Sequence, residues 1–121
     1  MNYRTITSKR QFKDATSYNR ADFEKLLMDY EQTYEEKYGK PYEEAIKENI
    51  YAVPKLKTLG DGLFLVLFKL KNDLIWGSLG LVFVMSESAA HRNFKFFHDL
   101  LEVTLEKKAH AQAQIRDSGR V

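Results

Sequence analysis

DLIWGSLGLVFVMSESAAHRNFKFFHDLL, residues 73–101, is the stretch whose reading decides the fold. A short apolar segment from Leu74 to Phe83 breaks at Val84-Met85-Ser86, and a longer helical segment restarts from Ser88. Gly80 lies just before the break, where two steeply crossing helices need room for close approach. Leu79, Phe83, Met85, Ala90 and Phe94 fall at spacings that point inward when two helices fold over a tight turn. That layout fits a helix-turn-helix, whose second helix enters the DNA major groove. It equally fits an αα-hairpin with no ligand, and periodicity alone does not separate the two.

Working outward, the same 3.6-residue logic organises the rest. Residues 1–7 read as extended or disordered, and Ser8–Ala15 as a short helix with Phe12 as its only large apolar contact. Asn19 is placed to cap a helix from Arg20 to about Tyr38, whose stripe is Phe23, Leu26, Leu27, Tyr30 and Tyr34. Gly39 ends it. Pro41 starts a short helix to about Asn49, after which Val53-Pro54 forces an extended step. Thr58 caps a helix over Leu59–Lys71, and its apolar run Leu63–Leu70 makes it the centre of the domain. The last helix runs to about Lys108 with Phe94, Phe97, Leu101 and Leu105 inward, and Ala109–Val121 reads as a frayed, disordered tail. The expected fold is all-α. Residues 1–18 form an N-terminal arm and short helix, 19–108 the helical domain and 109–121 the tail.

Composition narrows the function classes. The 121-residue chain is 44% hydrophobic and 30% charged, the balance of one globular domain. It has no cysteine, which removes disulfide frameworks, cysteine zinc sites and thiol nucleophiles. No signal-peptide pattern opens it, and the run Leu63–Leu70 is far short of the roughly 20 residues of a membrane span. A cytoplasmic location follows as the expectation, with no membrane partner. The net charge of +2 is modest, but its distribution is uneven. Arg4, Lys9, Arg10 and Lys13 crowd the N-terminus, and Lys55, Lys57, Lys69 and Lys71 bracket the central apolar run. Residues 22–48 hold nine acidic side chains against four lysines. Two faces of opposite sign suit oriented docking on phosphate, although charge alone does not decide it.

Catalytic signals are missing. His91 and His98 are seven residues apart, too far along a helix to chelate one metal, and no HExxH, phosphate loop or GxSxG motif occurs. No catalytic residue, cofactor or metal is therefore expected. Glu35-Glu36 and Glu43-Glu44 read as solvent-facing pairs, Phe94, Phe96 and Phe97 as core rather than base-stacking rings, and Trp76 as an anchor for the helix pair. The start of the last helix differs. Ser86 can cap it, and Glu87, Ser88, His91, Arg92 and Lys95 line its outer face while Ala90, Phe94 and Phe97 face inward. Arg suits guanine, Ser several bases, Glu the cytosine amine and Lys phosphate. Ser86, Glu87, Ser88, His91, Arg92 and Lys95 are the DNA-binding candidates, with Arg92 and His91 nearest the bases.

On these residues the stretch LKTLGDGLFLVLFKLKNDLIWGSLGLVFVMSESAAHRNFKFFHDLLEVTLEK, residues 56–107, resembles the N-terminal region of DDE-superfamily insertion-sequence transposases, close to the insertion sequence five group. The carriers are Thr58, Asp61, Leu63–Leu70, Leu79, Gly80, Phe83, Met85, Ser86, Ser88 and the long helix after them. Phe12 and Phe23–Leu27 resemble the family's opening. Val84 stands where the family prefers glycine in the turn. Gly60 and Gly62 replace good helix formers, which points to a degenerating copy. The resemblance implies a transposase DNA-binding domain that recognises the terminal inverted repeats of an element. It also implies that the catalytic Asp, Asp and Glu lie in a later domain, which the chain stops short of, as a truncated or first-frame product would. Double-stranded DNA, a separately encoded DDE catalytic subunit and a second copy in a homodimer are the implied partners, in a nucleoid-associated setting. A free-standing helix-turn-helix regulator and a helical protein-interaction module are the competing readings.

Overall fold

The structure, a computed structural model, describes residues 3–48 and 56–118, from residue 112 as backbone alone. The described residues form a 3₁₀ turn, Tyr3–Thr5, and six α-helices without strands. These are α1 (Lys9–Thr16), α2 (Arg20–Tyr38), α3 (Tyr42–Lys47), α4 (Leu59–Asn72), α5 (Trp76–Phe83) and α6 (Glu87–Ser118). The Val53-Pro54 step lies outside the described residues.

Local chemistry sets the boundaries. Ser8, Asn19 and Thr58 each accept from the amide three residues on and so start α1, α2 and α4. Ser17, Gly39 and Asp73 take left-handed backbone and end them. The all-α expectation is met. No helix among the described residues is long and apolar enough to cross a membrane.

The hub is α4, which α1, α2, α6 and the 3₁₀ turn all touch. Phe64, fully buried, meets Tyr3, Phe12, Phe68 and Phe83, each at a centroid distance of about 6 Å. Burying a ring of this size contributes about 1.5–3 kcal/mol. α2 and α6 pack against each other, fastened where the Tyr30 hydroxyl donates to the Phe97 carbonyl at 2.7 Å. The ion pairs Lys107–Glu36 and Lys108–Asp29 extend this seam.

Several expectations change. Tyr3 is buried against Phe23 and Phe64, so residues 3–5 are not extended; an aromatic ring on a short turn fills the end of the core. Leu70 and Leu105 are exposed, because the inward stripe rotates through Leu67 on α4 and through Leu101 and Thr104 on α6. α6 continues past Lys108 to Ser118, so residues 109–118 are helix rather than disordered tail. Alanine and glutamine prolong a helix already nucleated without needing an apolar face.

Gly60 and Gly62 are not marks of decay. A Cβ on Gly60 would sit 2.3 Å from the Tyr3 hydroxyl, and one on Gly62 would sit 2.4 Å from the Phe97 ring. Both glycines are what lets these rings lie on α4. Glu43, expected in solvent, instead accepts from the Leu59 amide at 3.2 Å and helps start α4, while Glu36 pairs with Lys107.

Candidate nucleic-acid interface

α5, the turn and α6 form a tight corner. The Met85 amide donates to the Gly80 carbonyl at 2.8 Å, and the Val84 amide to Leu81 at 3.4 Å, the paired bonds of a Schellman end. This requires left-handed backbone at Val84, which has φ 56° and ψ 54° despite its branched Cβ. The turn therefore closes with valine where glycine was expected. Gly80 allows it, since a Cβ there would lie 2.5 Å from the Met85 carbonyl oxygen. Ser86 then caps α6 by accepting from the Ala89 amide at 3.1 Å.

The inner face of the corner is Leu79, Gly80, Phe83, Ala90 and Phe97, all buried. Phe94 departs from the core expectation. It is half-buried at the rim, where it meets Trp76 at 5.3 Å and stacks on His98 at 5.1 Å. Phe96 is exposed and leans on Tyr38 at 6.2 Å, so only Phe97 of the three rings is core. Asn93 is half-buried and tied to Ala89 and Met85.

Glu87, Ser88, His91, Arg92 and Lys95 are exposed together along the first turns of α6, and Ser86 lies at their N-terminal end. Among the described residues, Glu87, Ser88, Arg92 and Lys95 make no side-chain hydrogen bond or ion pair. Further along α6, Lys107, Lys108 and His98 are engaged by Glu36, Asp29 and Glu102. His91 differs from its neighbours: its ring meets Trp76 edge-on at 4.7 Å.

Sequence reasoning missed how this face is braced. Lys69 reaches from α4 under the corner, its side chain only 17% exposed, with its ammonium 4.9 Å from the Trp76 ring and 5.9 Å from Phe94. The spacing of Lys69, Asp73 and Trp76 was the available signal, but it crosses a helix end and so carries no fixed angle. The comparison of His91 with His98 also overlooked that His98, Asp99 and Glu102 bring three potential ligand atoms within 4.8 Å of one another.

Negative charge collects elsewhere. On α2, burial and then Glu43 and Glu24 hold the Glu31 carboxyl above its usual range.

Residues 54–107 match the family described as helix-turn-helix of DDE superfamily endonuclease. No curated protein and no solved structure matches the chain. The matched segment contains all of α4 and α5, the turn, and α6 as far as Lys107, the same corner the packing defines. Residues 54–107 of this chain are thus similar to the helix-turn-helix of DDE superfamily endonucleases, and the α4–α6 corner is what carries that similarity.

Proposed function

We propose that the chain recognises the ends of a transposable element, binding terminal inverted repeats through the first turns of α6. The observation that carries this reading is the row of exposed polar side chains Glu87, Ser88, Arg92 and Lys95 immediately after the corner, unpaired among the described residues. Arg92 and His91 lie nearest the bases and Lys95 serves the phosphates. Strand cleavage belongs to a DDE domain, whose metal-binding carboxylates lie outside the matched region, on this or another polypeptide.

Titrations with duplexes from the flanking element's ends, and with random duplex of equal length, test this. Tighter binding to the ends is expected. Arg92→Ala should lose about 1–3 kcal/mol on the preferred site and flatten discrimination. Lys95→Ala should weaken all sequences alike and reduce the salt dependence by about one phosphate. Equal affinity for ends and random duplex would remove the element-end reading. Sequence preference confined to a neighbouring promoter would favour a free-standing regulator.

A further inference from the structure

Between Trp76 on α5 and the start of α6 lies an open recess of about 360 Å³, lined by Trp76, Glu87, Ser88, His91 and Arg92. Its walls are held from several sides. The Trp76 ring is fixed by Lys69, Phe94 and His91. The Glu87 carboxylate lies over the first turn of α5, 4.0 Å from where a Cβ on Gly77 would be.

The charges lining this recess exclude simple ligands. A phosphate would meet Arg92 favourably but Glu87 unfavourably, and a cation the reverse. The lining suits a neutral planar ligand carrying a donor beside acceptors. Base-pair edges in the major groove have this character, and the residue types select among them. A carboxylate only accepts, which matches the 4-amino group of cytosine. A guanidinium only donates, which matches the two acceptors of guanine, N7 and O6. Adenine offers one acceptor beside one donor, so neither side chain pairs fully with it.

We propose that the Trp76 recess takes the major-groove edge of one C·G base pair. Glu87 accepts from the cytosine 4-amino group, Arg92 donates to the guanine, and the indole lies beside cytosine C5. This rests on the reading of α6 as the recognition helix and adds what it recognises.

The test is selection of binding sites by the full chain from a randomised duplex pool, repeated with Glu87→Gln. The wild-type protein should enrich a motif with one required C·G pair and lose about tenfold when that pair is replaced. Glutamine both donates and accepts, so Glu87→Gln should exchange that pair for A·T and leave the rest of the motif unchanged. Glu87 is exposed, and matching melting curves will show that the variant is folded. A 5-methyl group on the required cytosine should enter the recess and leave wild-type binding at least as tight.

A motif without the C·G pair, one that Glu87→Gln leaves unaltered, or a tenfold loss on 5-methylation overturns the recess assignment while the DNA-binding reading stands. Failure to enrich any motif, with no duplex binding, overturns both.

Discussion

Replacing Val84 with glycine should stabilise this protein. Val84 holds the left-handed backbone that closes the turn, a conformation costing a non-glycine residue about 1–3 kcal/mol, with branched side chains at the upper end. Two terms oppose the gain. Val84 is 71% exposed, so removing its side chain forfeits only about 0.5 kcal/mol of burial. Glycine also frees the unfolded chain, at a cost of about 0.4–1 kcal/mol. The balance favours Val84→Gly by about 1 kcal/mol, or roughly 4 °C in melting temperature for a domain of this size.

Val84→Ala is the control, because it loses the same exposed methyl groups but keeps a Cβ in the left-handed region. Thermal and denaturant unfolding of the three proteins should place glycine above both alanine and valine, with duplex affinity unchanged by either substitution. If Val84→Gly proves no more stable than Val84→Ala, the turn does not store the strain its backbone implies.

Phe97→Ala should cost about 3–5 kcal/mol in urea unfolding, whereas Phe94→Ala, at the rim, should cost about half as much; equal costs would return Phe94 to the core. Gly62→Ala should lose about 1–3 kcal/mol by pushing on the Phe97 ring, and a neutral result would show that α4 and α6 part easily. Burial, and next Tyr34, push the Tyr42 phenol up to about 12, and its hydroxyl donates to the Leu56 carbonyl at 2.5 Å. An unfolded tyrosine ionises near 10, so between pH 10 and 12 the unfolded chain gives up a proton that the folded chain keeps. Stability should therefore be full below pH 10 and fall by about 1–2 kcal/mol as pH rises through that window, allowing for solvent screening. Tyr42→Phe should flatten this part of the denaturation-versus-pH curve, and an unchanged slope would refute the assignment.

The parts of the fold legible in the sequence are those where a local rule acts alone. Asn19, Thr58 and Ser86 announce their helices because a cap needs only its own next turn. The corner was legible from Gly80 and the inward spacings on either side. Tertiary proximity was not. Gly60 and Gly62 look like poor helix residues until Tyr3 and Phe97 are seen lying on them, and these rings come from opposite ends of the chain. Phe94 and Phe97 share one apolar stripe, and only their neighbours decide which is core and which is rim: Phe97 lies on Gly62 of α4 and meets Tyr42 of α3, whereas Phe94 meets Trp76 of α5. For the candidate site, the polar row on α6 could be read by counting residues. Its brace could not, because Lys69 reaches Trp76 across the end of α4.

On the proposed reading, the same contacts explain how a chain of net charge +2 can offer local positive charge to phosphate. The sum counts Lys107 and Lys108, but on α6 these are answered across the seam by Glu36 and Asp29. Arg4 is likewise turned onto Asp61, and Lys40 onto Glu48. Each exposed pair contributes at most about 1 kcal/mol to stability, so their main effect is on where uncompensated charge remains. Among the described residues Arg92 and Lys95 have no such partner at the start of α6, where they outnumber Glu87, and the acidic side chains gathered on α2 lie on a different helix. Within a Debye length of about 10 Å, a duplex docked as proposed would sense those local cations far more than the molecular sum. On the proposed reading, two cations near phosphate would give a shallow salt dependence and leave discrimination to the groups proposed to face the bases at the α5–α6 corner.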